Sequence, residues 1–143
     1  MLRWVAQWCF DQLLIGNCDV FAAGALGGVL NKWSIPTLNT SVIAGAANNQ
    51  LLTKEDDMRL ANAGILCCSD YLVNAAGVID VYHRRHGHTQ ENIDTGVAAI
   101  ADRLNSVLME AQSRRISPAQ VAQEHAEDLI RGPQNDAIPT VAA

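Results

Sequence analysis

Three short apolar runs recur along the first half of the chain, each with turn-forming residues on both sides. The runs are CDVFA (18–22), SVIAG (41–45) and GILCC (64–68), and this pattern is typical of strands buried on both faces of a sheet. Between the second and third runs, Thr53 with Asp56 three positions later forms a capping-box-like helix start. Short apolar strands separated by helices predict a parallel α/β fold.

Helical periodicity dominates the rest of the chain. We predict a helix over 71–85, a longer helix capped by Thr89, and a third helix that begins after Ser117 and ends at Gly132. Apolar residues also recur at helical spacing over 2–14, which predicts a short amphipathic helix before the first strand. The sequence therefore describes an α/β half followed by a helical half.

Composition and charge narrow the function classes. The chain has 143 residues, of which 49% are hydrophobic and 17% charged, enough apolar material for the core of one domain. A net charge of -5 argues against nucleic acid or an anionic membrane as the main partner, because both require clustered positive charge. We also find no uncharged apolar run of the length that a membrane span requires.

Cysteine usage indicates a reducing compartment. The four cysteines are Cys9, Cys18, Cys67 and Cys68, and no two of them are spaced as C-x-x-C. The adjacent pair lies in an apolar run, where thiols usually act as small buried side chains. We therefore expect a cytoplasmic protein with reduced thiols.

Candidate binding residues follow the predicted strands. In parallel α/β sheets, ligands bind beyond the carboxyl ends of the strands. Small residues over 22–26 follow the first strand, Asn48 and Asn49 follow the second, and the stretch 69–77 follows the third. An Asn side chain carries both a donor and an acceptor, which suits a carboxamide such as that of nicotinamide. The alternative is that the two Asn residues only form a turn and that the glycines only relieve crowding.

Three blocks carry a resemblance to a known family. CDVFAAGALGGVLN, IPTLNTSVIAGAANNQL and GILCCSDYLVNAAGVIDV, in this order and spacing, resemble the second half of the cofactor domain of the glutamate/leucine/phenylalanine/valine dehydrogenases, above all their leucine, valine and phenylalanine branch. The resemblance implies a partial Rossmann-like α/β fold, half of a doubly wound parallel sheet followed by C-terminal helices. It also implies NAD-dependent oxidative deamination of an apolar L-amino acid to its 2-oxo acid and ammonia.

The resemblance also implies site residues. Four residues would face the NAD cofactor, namely Ala25, Leu26, Ala47 and Asn48. Three would face the amino-acid substrate: Asn74 by orienting it or the nicotinamide ring, and Val78 and Val81 by lining its side-chain pocket. Val78 and Val81 are three residues apart on a predicted helix and so share a face. Ordinary core packing is the alternative interpretation for both valines.

Two motifs of this family, the Gly-rich cofactor motif and the catalytic lysines, have no counterpart in the 143 residues. The sequence contains no G-x-G-x-x-G motif, and neither Lys32 nor Lys54 has the family's Gly-rich lysine context. We therefore assign no catalytic residue and expect no turnover from this chain alone. His83, His86 and His88 have a spacing that can bind a transition metal, but interleaved arginines favour a solvated helix end, and we assign no metal.

Two functional interpretations remain at this stage. The first is the cofactor-domain portion of an amino-acid dehydrogenase: a non-matching segment over 1–17, the second half of the NAD-binding domain over 18–88, helices over 89–131 and a flexible tail over 132–143. The second is a non-catalytic interaction module or remnant derived from that domain. An open sheet edge predicts a homo-oligomer or association through that edge.

Overall fold

A computed structural model describes residues 10–132 of the chain, as a small parallel sheet with helices before, between and after its strands. The strands are β1 (Val20–Phe21), β2 (Val42–Ile43) and β3 (Leu66–Cys67), all parallel, with β2 in the centre. The helices are α1 (Phe10–Ile15), α2 (Glu55–Asn62), α3 (Asp70–Val73), α4 (Ala76–Arg85), α5 (Gln90–Arg114) and α6 (Pro118–Arg131). The predicted partial Rossmann-like α/β arrangement is confirmed.

Each strand is shorter than the apolar run that predicted it. The ladder pairs Val42 with Val20 on one side and with Leu66 on the other. Beyond the ladder, single backbone bonds continue the contact between neighbouring segments, as from the Cys18 N–H to the Asn39 carbonyl at 3.2 Å. The apolar runs therefore mark the positions of the strands correctly but exceed the paired residues.

The hydrophobic core has two centres. The first surrounds β2, where Leu30, Ile43 and Leu60 are fully buried between the sheet, α2 and the loop after β1. The second lies between α5 and α6, where Val107 packs near the fully buried Val121. Since the first core fixes the strands at their carboxyl ends, it also fixes the loops that leave them.

Two of the predicted helix starts are confirmed in detail. The Thr89 hydroxyl accepts a hydrogen bond from the Asn92 N–H, and the Asn92 side chain accepts one from the Thr89 N–H, which completes a capping box. The Ser117 hydroxyl accepts a hydrogen bond from the Gln120 N–H at 3.1 Å, and α6 ends before Gly132 as predicted.

Two other expectations need correction. The helix predicted over 71–85 is divided into α3 and α4, because Asn74 ends the first and its side chain turns toward the loop after β2. The Thr53 hydroxyl donates to the Asp56 carboxylate at 2.9 Å, yet α2 begins only at Glu55 with no side-chain cap. The Thr53–Asp56 pair therefore closes the turn before the helix and does not cap it.

The remaining predictions concern the ends of the chain and its thiols. α1 ends at Ile15, but most of the helix predicted over 2–14 lies outside the described residues, as does the predicted tail beyond Gly132. Cys18, Cys67 and Cys68 are free thiols, and Cys9 lies outside the described residues. None of the described helices combines the length and apolar character that a membrane span needs.

Candidate functional site

Three loops leave the carboxyl ends of the strands and meet at one edge of the sheet. We call them the strand-end loops: 22–30 after β1, 44–52 after β2 and 68–75 after β3. The first two are joined by backbone hydrogen bonds, from the Ala47 N–H to the Ala23 carbonyl at 2.9 Å and from the Gly28 N–H to the Asn49 carbonyl at 2.7 Å. These bonds fix the loops relative to each other.

Glycine is required at two points where the strand-end loops approach each other. A Cβ added at Gly27 would lie 2.8 Å from the Asn48 carbonyl oxygen, and one added at Gly45 would overlap the Ala23 backbone. Real Cβ atoms essentially never come this close to another atom. The small residues after the first two strands therefore allow close backbone packing, as the sequence indicated, and this packing brings the loop after β1 against Asn48.

Asn48 and Asn74 meet at the centre of this edge, and we call them the asparagine pair. The Asn74 Nδ2 donates to the Asn48 Oδ1 at 2.5 Å and lies 3.4 Å from the Ala46 carbonyl. Within the described residues, the Asn48 Nδ2 and the Asn74 Oδ1 have no hydrogen-bond partner. The asparagine pair thus leaves one amide donor and one carbonyl acceptor for a ligand, the two kinds of group that a carboxamide can bond.

The other residues predicted to face a cofactor differ in exposure. Ala25 and Leu26 lie in the loop after β1, just before the close contact of Gly27 with Asn48, and Leu26 is 73% exposed. Ala47 is buried, and its N–H bonds to the loop after β1. Two of these side chains are therefore accessible at the sheet edge, while Ala47 contributes through its backbone.

Val78 and Val81 lie on α4, which begins two residues after Asn74. Their exposed fractions are 74% and 64%, and the neighbouring Tyr82 is also exposed. This exposure rules out the core-packing interpretation for both valines within the described part of the chain. The helix that follows Asn74 therefore presents exposed apolar side chains at Val78, Val81 and Tyr82.

Two residues support this edge in ways that the sequence did not indicate: Asp70 lies in the stretch predicted to follow the third strand but had no assigned role, and Gln50 was not singled out. The carboxylate of Asp70 accepts hydrogen bonds from the Asn49 N–H and, at 2.9 Å, from the Tyr71 N–H. The buried Gln50 donates through Nε2 to the Gly45 carbonyl at 2.7 Å and to the Ala47 carbonyl at 3.0 Å. In both cases a polar side chain that follows a strand bonds to backbone groups of a strand-end loop. The position after a strand was the only feature of the sequence that pointed to either residue.

A cavity of about 750 Å³ lies beside this edge, between the loops after β2 and β3 and helix α6. Cys67 and Tyr71 contribute to its wall. Burial raises the pKa of the Cys67 thiol to about 12 and raises the pKa of the Tyr71 hydroxyl above its ordinary value. Both groups are therefore neutral near pH 7, and Cys67 is no candidate nucleophile.

The histidines at the end of α4 form a cluster of their own. The Nδ1 atoms of His83 and His88 are 2.7 Å apart, and the Nδ1 of His86 lies 2.8 Å from the Tyr82 carbonyl oxygen. In residues 10–132, no three His, Cys, Asp or Glu side chains are arranged to hold a metal ion. We therefore describe the cluster as hydrogen-bonded side chains at a helix end.

The sequence contains two lysines, Lys32 and Lys54, and within residues 10–132 neither is hydrogen-bonded to Asn48 or Asn74. The Lys32 ammonium lies 4.4 Å from the centre of the exposed Trp33 ring. Lys54 precedes α2 and contributes to the wall of the cavity. The edge therefore offers hydrogen-bonding and apolar groups for binding, without an identified group for proton transfer.

Comparisons with known proteins relate the chain to amino-acid dehydrogenases. It is 39% identical over 128 residues to an L-tryptophan dehydrogenase of Nostoc punctiforme, covering 89% of this chain and 36% of that protein. It is 40% identical over 121 residues to a valine dehydrogenase of Streptomyces albus, covering 84% of this chain and 33% of that protein. No protein-family model matches the chain. The chain spans about a third of the length of these relatives.

Solved structures show the same relationship at the level of the fold. The crystal structure of the L-tryptophan dehydrogenase from Nostoc punctiforme matches with a TM-score of 0.82 and 37% identity, over 89% of this chain and 38% of that chain. A glutamate dehydrogenase from Peptoniphilus asaccharolyticus matches with a TM-score of 0.55 at 22% identity, which is a likeness of fold alone.

Proposed function

Because the matched residues belong to the Glu/Leu/Phe/Val dehydrogenase family, we propose that the strand-end loops hold the nicotinamide end of NAD. The observation that carries this proposal is the asparagine pair, whose Asn48 Nδ2 donor and Asn74 Oδ1 acceptor have no hydrogen-bond partner among residues 10–132. A carboxamide bound there would accept from the first and donate to the second. Ala25 and Leu26 would lie beside the nicotinamide ribose.

The same edge would hold an apolar amino acid next to the cofactor. Val78 and Val81 present apolar side chains on α4, directly after Asn74, and burial of each against a substrate side chain would contribute about 1–2 kcal/mol. When bound, NAD supplies the acceptor for the hydride that leaves the α-carbon of the amino acid. The contribution of these residues is orientation of both molecules and exclusion of water.

We do not expect turnover from the chain alone. The 143 residues contain no G-x-G-x-x-G motif, and Lys32 and Lys54 lie apart from the asparagine pair's hydrogen bonds. The family's catalytic lysines, which activate the substrate carbonyl or amine, have no counterpart at this edge. An NAD-linked assay of the purified chain with branched and aromatic amino acids is therefore expected to give no signal above a buffer control.

Binding is the direct test of the proposal. In ¹⁵N-labelled chain titrated with millimolar NAD, the side-chain amide signals of Asn48 and Asn74 should shift, because both groups gain a new hydrogen-bond partner. ADP-ribose, which lacks the nicotinamide, should leave them unchanged. Asn48→Ala and Asn74→Ala should weaken binding about tenfold each, the effect of one lost hydrogen bond. Asn105→Ala, an exposed change within α5, is the matched control. Equal shifts with NAD and ADP-ribose would reject the proposal.

A second candidate function is supported by the exposed apolar side chains. Val20 on the edge strand β1 is 50% exposed, and Val78, Val81 and Tyr82 form an apolar stripe on α4. Such surfaces mark association sites, so an interaction module derived from this domain is the alternative. Light scattering of the purified chain separates the two. Concentration-dependent association without any NAD-induced shift would favour the module.

A further inference from the structure

Asp70 occupies the junction of the strand-end loops. It is the first residue of α3, directly beyond β3, and its carboxylate uses both oxygens. The Oδ2 atom accepts from the Asn49 N–H and the Oδ1 atom accepts from the Tyr71 N–H at 2.9 Å. One carboxylate thus joins the loop after β2 to the loop after β3, and hydrogen bonds to an ionised acceptor are the stronger kind.

The bond to Asn49 fixes a residue whose backbone needs support. Asn49 has a φ of 52°, in the left-handed region that non-glycine residues seldom adopt. Its N–H is held by Asp70 and its carbonyl by the Gly28 N–H at 2.7 Å. These two bonds hold the peptide groups on either side of Asn49, and the bond from Asp70 fixes the backbone that carries the Asn48 side chain.

The same residue also fixes the other member of the asparagine pair. The backbone carbonyl of Asp70 accepts a hydrogen bond from the Asn74 N–H at 2.8 Å, at the end of the single turn of α3. The side chain of Asp70 thus holds the position next to Asn48, and its main chain holds Asn74. Asn48 and Asn74 are 26 residues apart in sequence. Asp70 contacts both places, through the N–H of Asn49 next to Asn48 and through the N–H of Asn74 itself.

We propose that Asp70 is a positioning residue that holds the Asn48 and Asn74 carboxamides in the register needed to recognise the carboxamide of nicotinamide. This inference rests on the proposed function of the same site. In this proposal Asp70 does not contact the ligand and acts only through Asn48 and Asn74. Its effect is selectivity: the preformed donor and acceptor accept a carboxamide and reject the corresponding carboxylate, which has no N–H to donate to the Asn74 Oδ1.

The test compares two small probes, nicotinamide mononucleotide and nicotinic acid mononucleotide, by NMR titration of the full chain. Unaltered chain should bind the amide probe about tenfold more tightly than the acid probe, the effect of one mismatched hydrogen bond. Asp70→Ala should reduce this ratio toward one, and Asp70→Glu, which keeps both acceptor oxygens, should restore part of it. Asp102→Ala, an exposed change on α5, should leave the ratio unchanged.

A second readout needs no ligand. In the unaltered chain, a nuclear Overhauser contact should link the side-chain amides of Asn48 and Asn74, and hydrogen exchange of the Asn49 N–H should be slowed. Asp70→Ala should abolish the contact and speed this exchange about tenfold, while the Ala47 N–H, which bonds to Ala23, keeps its rate.

The two readouts separate the failure of this inference from failure of the proposed function. If the amide probe does not bind unaltered chain, the proposed function fails, and the Asn48–Asn74 contact in Asp70→Ala still decides the positioning role. If the probe binds and Asp70→Ala keeps both the ratio and the contact, the positioning role is wrong and the binding site stands.

Discussion

Gly45 lies where the loops after β1 and β2 come closest, and its replacement by alanine should destabilise the whole sheet edge. A Cβ at this position would overlap the backbone N and O of Ala23 and would lie 2.7 Å from the Ala23 carbonyl carbon. Ordinary contact begins at 3.4 Å, so clearing this carbon alone would require a separation of about 0.7 Å, and clearing the closer N and O atoms would require more. The hydrogen bond from Ala47 to Ala23, now 2.9 Å, would then be broken.

The expected cost follows from these two effects. Loss of the hydrogen bond contributes about 1 kcal/mol, and the backbone displacement needed to fit the extra methyl group contributes about 1–3 kcal/mol. We therefore expect Gly45→Ala to lower the free energy of unfolding by about 2–4 kcal/mol. Urea titration followed by circular dichroism should show a midpoint lowered by about 1–3 M.

Gly24→Ala is the matched control, because within residues 10–132 no atom beyond the neighbouring residues lies within 4 Å of a Cβ at Gly24. Its free energy of unfolding should change by no more than an ordinary surface substitution causes, about 0.5 kcal/mol in either direction, and its urea midpoint should therefore stay close to that of unaltered chain. Equal midpoints for Gly45→Ala and Gly24→Ala would refute the close packing of the two loops and, with it, the placement of Asn48.

Three further predictions concern the packing around the site. Ser117→Ala should lower the free energy of unfolding by about 1 kcal/mol, seen as a lower melting temperature, because α6 loses its cap. Burial alone would raise the pKa of the Asp56 carboxyl, but the hydrogen bonds from Thr53 together with the ion pair to Arg59 outweigh it, and the pKa lies below its ordinary value. The stability that the lowered pKa of Asp56 adds is present above the ordinary carboxyl pKa, about 4, and is lost as the pH falls through the lowered pKa. Asp56→Asn should therefore narrow the difference in urea midpoint between pH 7 and pH 3. Cys67, with its raised pKa, should resist iodoacetamide at pH 8 until urea is added; labelling of native Cys67 as fast as that of the partly exposed Cys18 would contradict its burial.

Local patterns were sufficient to predict most of the elements. The three apolar runs predict three parallel strands, and Thr89 and Ser117 predict the starts of α5 and α6, because each signal depends on residues close in sequence. The prediction of one continuous helix over 71–85 was wrong, because the break between α3 and α4 involves a residue distant in sequence. The composition of this stretch suits a continuous helix, but the contact of Asn74 with Asn48, 26 residues away, accompanies a break that no local pattern shows.

The supporting contacts of the candidate site lay beyond sequence reasoning. Asp70 follows a strand and could be read as a helix-start charge, but its bond to the Asn49 N–H depends on how two loops meet in space. Burial of Gln50, a polar residue after a strand, likewise depends on the carbonyls of Gly45 and Ala47 turning toward it. The exposure of Val78 is also a tertiary property, since a helical apolar residue is more often buried.

The proposed function requires that this chain contact the nicotinamide end of NAD through the asparagine pair. Saturation-transfer difference NMR with NAD measures which end of the ligand touches the protein. We expect strong saturation of the nicotinamide ring protons and weak saturation of the adenine protons, with the nicotinamide signal reduced in Asn48→Ala. Saturation of the adenine protons alone, or a nicotinamide signal unchanged in Asn48→Ala, would contradict it.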